Sequence, residues 1–93
     1  MSEYFTLEVD PTEAPDVMEL VVNQTLTAEE EEVYNSPEEG ELGSPIAQLL
    51  FSGIDGIRAL TITEDTLIVT RDPEVAWEAI IDEIRDALRD FFL

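Results

Sequence analysis

Apolar and polar residues alternate at the start of the chain. In EYFTLEV (3–9), Phe5, Leu7 and Val9 fall on one face and Tyr4, Thr6 and Glu8 on the other, the pattern of a half-buried strand. DPTEAPD (10–16) is a turn-rich connection stiffened by two prolines. Alternation resumes in VMELVV (17–22), where Met18, Leu20 and Val22 oppose Glu19 and Val21. The two strands are expected to pair as a wide hairpin. Residues 23–43 then lose the period. They carry the acidic run Glu29–Glu32, Pro37, Gly40 and Gly43, with Leu26, Val33 and Tyr34 as the sizeable apolar groups. This stretch reads as a flexible acidic loop, with room for a short strand or a single helical turn around Pro37–Glu41.

From Ser44 the period becomes helical. The Ser44 hydroxyl suits an N-cap, and Pro45 suits the first helical position, where a missing N–H costs nothing. Ile46, Leu49, Leu50 and Ile54 recur at steps of three and four, and Gly53 is expected as a left-handed C-cap. Past Asp55-Gly56 the pattern turns extended. IRALTIT and TLIVT flank Glu64-Asp65, so an antiparallel hairpin is expected. Asp72-Pro73 is expected to open the last helix by the same cap-and-proline device. Trp77, Ile80, Ile81, Ile84, Leu88, Phe91 and Phe92 form its apolar stripe. Acids gather early in this helix and Arg85 and Arg89 late, which suits the helix dipole. The order ββ, loop, α, ββα over residues 1–93 predicts a single α+β domain. Its two layers are a mostly antiparallel, four-stranded sheet and two helices on one face (ββαββα order).

Charge changes this picture more than composition does. The chain has 23 acidic residues against four arginines, no lysine and a net charge of −19. Nucleic acid and anionic membrane surfaces would repel it, so neither is expected as a partner. A domain of this mass has about 5,400 Å² of surface. The carboxylates then average roughly 15 Å apart, beyond the ~8 Å Debye length of physiological salt. Repulsion is acute only within Glu29–Glu32, which should stay solvated. Adaptation to a high-salt cytoplasm, a docking face for a basic partner and plain surface drift are competing readings of the acidity. The acidic N-terminus shows no basic or apolar leader pattern, and no run is long enough to span a membrane, so a cytoplasmic location is expected.

Candidate chemistry is sparse. Without cysteine or histidine there is no disulfide, thiolate or imidazole metal site, and no direct cysteine ligation of an iron–sulfur cluster. Serines 2, 36, 44 and 52 have no histidine or lysine to activate them. Glycines 40, 43, 53 and 56 match no phosphate-binding loop. The carboxylate pairs Glu64-Asp65 and Asp72 with Glu74 sit where a turn and a helix start are expected, so turn former and N-cap are their ordinary roles. No catalytic, cofactor-binding or metal-binding residue is therefore assigned, and an enzyme is not expected. Trp77 reads as core, with a partner hot spot as the alternative. Phe91, Phe92 and Leu93 cannot all enter a small core, so an exposed remainder could dock a partner or a second copy. A monomer or a weak homodimer is expected. The loop 10–16 is the other candidate surface.

SPIAQLLFSGIDGIRALTITEDTLIVT followed by VAWEAIIDEIRDAL resembles the N-terminal domain of Nfu/NifU-type iron–sulfur scaffold proteins. The matching pieces are Ser44-Pro45 opening a helix that closes with Leu50-Phe51, then Ile54, Gly56 and Ile57, the strand Leu67–Thr70, and Trp77 early in the last helix. The family usually carries a Thr-Pro-Asn-Pro-Asn segment and then a leucine-lysine-phenylalanine strand. Here Thr12-Glu13-Ala14-Pro15-Asp16 and Met18-Glu19-Leu20 stand in those places, so Thr12 and Pro15 survive while the asparagines and the lysine are gone. Family members often continue into a domain whose Cys-x-x-Cys binds the cluster, a motif this sequence lacks. The resemblance implies a non-enzymatic, accessory role in iron–sulfur cluster assembly or delivery, by docking to protein partners. An iron–sulfur cluster or iron would be met only through such a partner. The candidate docking residues are Thr12, Pro15, Asp16, Phe91 and Phe92. An acidic interaction module for a basic partner, unrelated to clusters, is the alternative.

The high-salt reading of the acidity has a direct consequence. Unfolding free energy from urea titration should fall sharply on dialysis from molar salt into dilute buffer. A salt-independent melt removes that reading.

Overall fold

The computed structural model describes residues 5–93. Glu3 and Tyr4, predicted to start the first strand, lie outside the described residues. Five strands form one antiparallel sheet: β1 (Leu7–Pro11), β2 (Val17–Val22), β3 (Glu32–Tyr34), β4 (Ile57–Ile62) and β5 (Thr66–Arg71), in the order β1-β2-β5-β4-β3. The helices are α1 (Pro37–Glu41), α2 (Pro45–Gly53) and α3 (Trp77–Phe92). The α+β class and the antiparallel sheet agree with the pattern. The count does not: among the described residues the sheet has five strands rather than four, and there are three helices rather than two.

Both extra elements lie in the stretch 23–43, where the sequence leaves room for a short strand or a single helical turn around Pro37–Glu41; the structure has both, with α1 at those bounds. Strand β3 pairs Glu32 with Ile62 and Tyr34 with Leu60. Those partners point toward the helices, so an acid occupies an inward position at the sheet edge. That is why alternation did not reveal the strand. Helix α1 is a single turn capped by the Ser36 hydroxyl, which accepts from the Glu39 N–H. Leu26 is buried, and its N–H reaches the Glu64 carbonyl at 2.6 Å.

Register sets the core. Val9, Leu20, Leu67 and Ile62 stand in one row across β1, β2, β5 and β4, and Met18, Val69 and Leu60 in the next. Against these rows α2 buries Ile46, Ala47 and Leu50, and α3 buries Ile80, Ile84 and Leu88. The core is wholly apolar: among the described residues no polar or charged residue is buried. The opposite sheet face, with Glu19, Val21, Thr61 and Ile68, is left half-exposed.

Two cap expectations need correction. Gly53 is the last helical residue of α2 and is not left-handed; the Ile54 N–H closes the helix on the Leu50 carbonyl. Gly56 is the glycine at positive φ (100°), where a Cβ would also stand 2.9 Å from the Val75 side chain. Asp72-Pro73 does not open α3. The Asp72 carboxylate accepts from the Glu74 N–H at 3.0 Å, and the Val75 N–H bonds the Asp72 carbonyl, making a turn four residues before the helix proper. Ala76 is the N-cap and has no side-chain cap bond. The β4–β5 hairpin turns at Glu64-Asp65 as expected, with the Thr63 N–H on the Thr66 carbonyl. No described non-glycine residue has positive φ, so this turn is not of the primed type.

The glycines separate cleanly under substitution. At Gly53 an added Cβ meets nothing, so Gly53→Ala should stabilise the fold by about 0.5–1 kcal/mol. At Gly40 a Cβ runs into the Phe51 ring, so Gly40→Ala should cost about 1–3 kcal/mol. Urea midpoints of the two variants, moving in opposite directions, check both.

Candidate docking site

The connection between β1 and β2 is held rather than loose. The Thr12 hydroxyl donates to the Val17 carbonyl (2.8 Å) and accepts from the Ala14 N–H (3.2 Å). The Val17 N–H returns to the Ala14 carbonyl. Two residues far along the chain then clamp the far side of the loop. Trp77 Nε1 donates to the Pro15 carbonyl at 2.9 Å. The Arg71 backbone N–H donates to the Asp16 carbonyl at 2.9 Å, and its Nε to Asp16 Oδ1 at 3.1 Å.

Arg71 is the hub. Its Nη1 also donates to the Val75 carbonyl at 3.2 Å, and its guanidinium lies 5.2 Å from the centre of the Trp77 ring. One side chain thus ties the loop, the last strand and the entry to α3. The Arg71–Asp16 pair is partly exposed, so solvent screening keeps it to about 1 kcal/mol; the cation–π contact adds ~0.5–1. Glu13, Ala14 and Pro15 are presented to solvent on this frame, with Thr12 and Asp16 half-buried beneath.

Phe91 and Phe92 lie elsewhere. Phe92 packs on the core and stacks on Phe5 with centroids 6.2 Å apart. Phe91 is 46% exposed and Leu93 66%. The loop meets α3 at its first residue and the aromatics at its last, a separation of about 24 Å for a helix of this length. The five docking candidates therefore form two places. The expectation that the C-terminal residues divide between core and solvent matches this geometry.

Sequence reasoning did not single out Arg71, nor the polar group at β3. There Tyr34 Oη donates to Glu32 Oε1 at 2.5 Å and accepts from the Ser44 N–H at 3.2 Å. Burial pushes the Glu32 carboxyl up, but hydrogen bonds from Thr27, Tyr34 and Ser44 outweigh it and hold its pKa below the ordinary value. Asp72 is also held low, chiefly by the Glu74 N–H and then by Arg58. All four arginines form ion pairs: with Asp16, Asp72, Asp82 and Asp86. Among the described residues no group of three or more acids is placed to hold a metal ion. No described helix is long and apolar enough to cross a membrane. Two shallow depressions, at Val22–Thr25 with Glu64-Asp65 and at Asn35–Glu38 with Arg58, open broadly to solvent.

A family model described as the N terminus of the scaffold protein Nfu/NifU matches residues 7–93. The chain is 33% identical over 86 residues to conserved virulence factor C of Staphylococcus aureus, covering 90% of this chain and 22% of that protein. It is 29% identical over 79 residues to the uncharacterized protein YpgR of Bacillus subtilis, covering 85% and 20%. The chain thus spans about a fifth of the length of these curated relatives. In fold it is similar to the solution structure of a NifU-like protein from Saccharomyces cerevisiae, with TM-score 0.77 at 22% identity, covering 94% of this chain and 77% of that one. It is also similar to a crystal structure of a Staphylococcus aureus protein, with TM-score 0.70 at 10% identity, covering 87% and 94%.

The Glu32 network has a pH signature. A carboxyl whose folded pKa is depressed stabilises the fold above its ordinary pKa and loses that contribution as pH falls through the folded value. Glu32→Gln should therefore cost about 0.5–1.5 kcal/mol at pH 7. The gap between wild type and variant in urea midpoint should narrow on acidification from about pH 5 to 3. A gap that is unchanged or widens contradicts the assignment.

Proposed function

The chain belongs to the Nfu/NifU scaffold N-terminal family, and from that premise we propose that it is a non-enzymatic docking domain for cytoplasmic iron–sulfur cluster assembly or delivery. The clamped loop 12–16 carries this reading. An exposed loop held by an arginine and a tryptophan from distant strand and helix ends is already ordered before a partner arrives. Ordering cost is thereby removed from the binding step. Thr12, Pro15 and Asp16 are the docking residues at this place, and Phe91, with Phe92 behind it, forms a second, apolar contact.

The chemistry belongs to the partner. With no cysteine or histidine in these 93 residues, thiolate ligands for a cluster come from another polypeptide or segment. The cluster is then cargo handled beside this domain rather than a group it holds.

A second reading has its own support. Each of the four arginines is engaged with an aspartate, so most of the 23 acidic residues stand without an arginine of their own. That favours a basic partner of any kind, including one outside cluster chemistry.

Affinity capture from the native cytoplasm separates the two. Recovery of cluster scaffold or apo-iron–sulfur proteins is expected, and Arg71→Ala, with its fold checked by circular dichroism, should weaken that recovery by freeing the loop. Recovery of ribosomal or DNA-binding proteins instead overturns the cluster reading in favour of the second.

A further inference from the structure

The two edges of the sheet are not equivalent. The Thr63 N–H bonds the Thr66 carbonyl, so by alternation Thr61 bonds β5 while Ile62 and Leu60 bond Glu32 and Tyr34; Val33 alone in β3 turns its backbone groups outward, and α1 follows at once. Edge strand β1 is longer, and its hydrogen-bonding phase is fixed. The Asn23 N–H bonds the Thr6 carbonyl. The Val22 N–H instead bonds Asp65 across β5, and the Arg71 N–H bonds Asp16. Antiparallel ladders alternate, so Glu8 and Asp10 spend their backbone groups on β2. The N–H and C=O of Leu7 and Val9 therefore face outward, away from β2.

Three features make this edge specific. First, the outward phase ends at Pro11, which has no N–H, so the free edge offers two donors and not a long row. Second, Leu7 and Val9 are only half-buried, as is Phe5 just before them, which stacks on the half-buried Phe92 of α3. Apolar area therefore remains to be covered beside β1. Third, the solvent-facing side chains of the strand are Glu8 and Asp10, both exposed. Two copies joined edge to edge would set these acids against each other, on a chain of net charge −19.

We propose that β1 receives an added strand from a partner protein: an extended segment with lysine or arginine on the solvent-facing alternate positions and apolar residues between them. Its backbone bonds the free groups of Leu7 and Val9. Its apolar side chains complete the layer over Phe5, Leu7 and Val9. Its cations stand opposite Glu8 and Asp10. The free end of the strand runs straight into the clamped loop 12–16, so one ligand can lie along both. This deepens the docking reading and rests on it, by naming the class of segment that docks.

The test uses the whole chain and a ten-residue peptide alternating valine with lysine, with a valine–glutamate peptide as control. Binding of the basic peptide should slow amide exchange at Leu7 and Val9 by about tenfold or more, and the control should not bind. Val9→Pro removes one outward donor without touching the ladder to β2, and should abolish binding while circular dichroism stays unchanged. Glu8→Lys with Asp10→Lys should weaken binding by about tenfold and rescue the acidic control peptide. Protection that appears at Val21 and Ile68 on the open face, or at Phe91, overturns the proposal. So does unaltered binding to Val9→Pro. If Val9→Pro captures the same cytoplasmic proteins as wild type, the edge assignment falls while the docking function stands. If wild type captures none, the docking function itself falls.

Discussion

The pairing of β2 with β5 is the constraint on which the rest of this structure depends. Leu20 opposite Leu67 and Met18 opposite Val69 place the apolar residues of both strands under the helices. A slip of one residue would turn every one of them to solvent. The same register brings Asp16 opposite Arg71, one step beyond the last ladder pair. Core and the clamped 12–16 loop are thus products of one alignment. The guanidinium reaches the loop because the leucines are in the right row, and the loop leaves β2 where it does for the same reason.

Acidity is accommodated by position. Among the described residues the core is entirely apolar and no carboxylate is buried; the acids stand in loops and turns, on the solvent face of α3, on the open face of the sheet and at its edges. The inward-facing Glu32 is the instructive exception. It sits at the margin of the sheet, and three hydrogen-bond donors hold it in its charged form. Few cations mean few ion pairs, so their placement matters. Arg85–Asp82 and Arg89–Asp86 join residues three apart in α3 and Arg58–Asp72 joins β4 to the residue after β5, whereas Arg71–Asp16 spans 55 residues.

Much of this was legible from periodicity. Alternation in 17–22, the Ser44-Pro45 cap, the hairpin around Glu64-Asp65 and the α3 stripe all correspond to observed elements, because each is written in local spacing. What escaped has a common cause. Strand β3 is three residues long and its inward positions hold an acid and a tyrosine, so its apolar residue, Val33, points outward. The turn before α3 looked like a helix start because an aspartate before proline serves both roles. Trp77 was readable as a core residue, but its bond to Pro15 spans 62 residues and leaves no local trace. The bond from Arg71 to Asp16 spans 55 residues and was hidden for the same reason. Thr12, Pro15 and Asp16 were found through the family pattern, yet the groups that hold them came only with the fold.

The loop and the β1 edge differ in how they can recognise a partner. The loop is ordered by four hydrogen bonds from Arg71 and Trp77, three of them to loop or turn carbonyls, so its shape is fixed and its selectivity is a matter of fit. The edge offers backbone groups, which are blind to sequence, beside acids that discriminate by charge. A partner that used the edge alone could be any basic strand, and one that used the loop alone would have little apolar area to bury. Under the docking proposal, a ligand lying along both would draw affinity from backbone bonding and discrimination from the loop. The loss of the asparagines that the family pattern has at positions 14 and 16 then weighs less than it first seems. What the clamp grips is the carbonyls of Pro15 and Asp16 and the Asp16 carboxylate, and of these groups only the last depends on which side chain stands there.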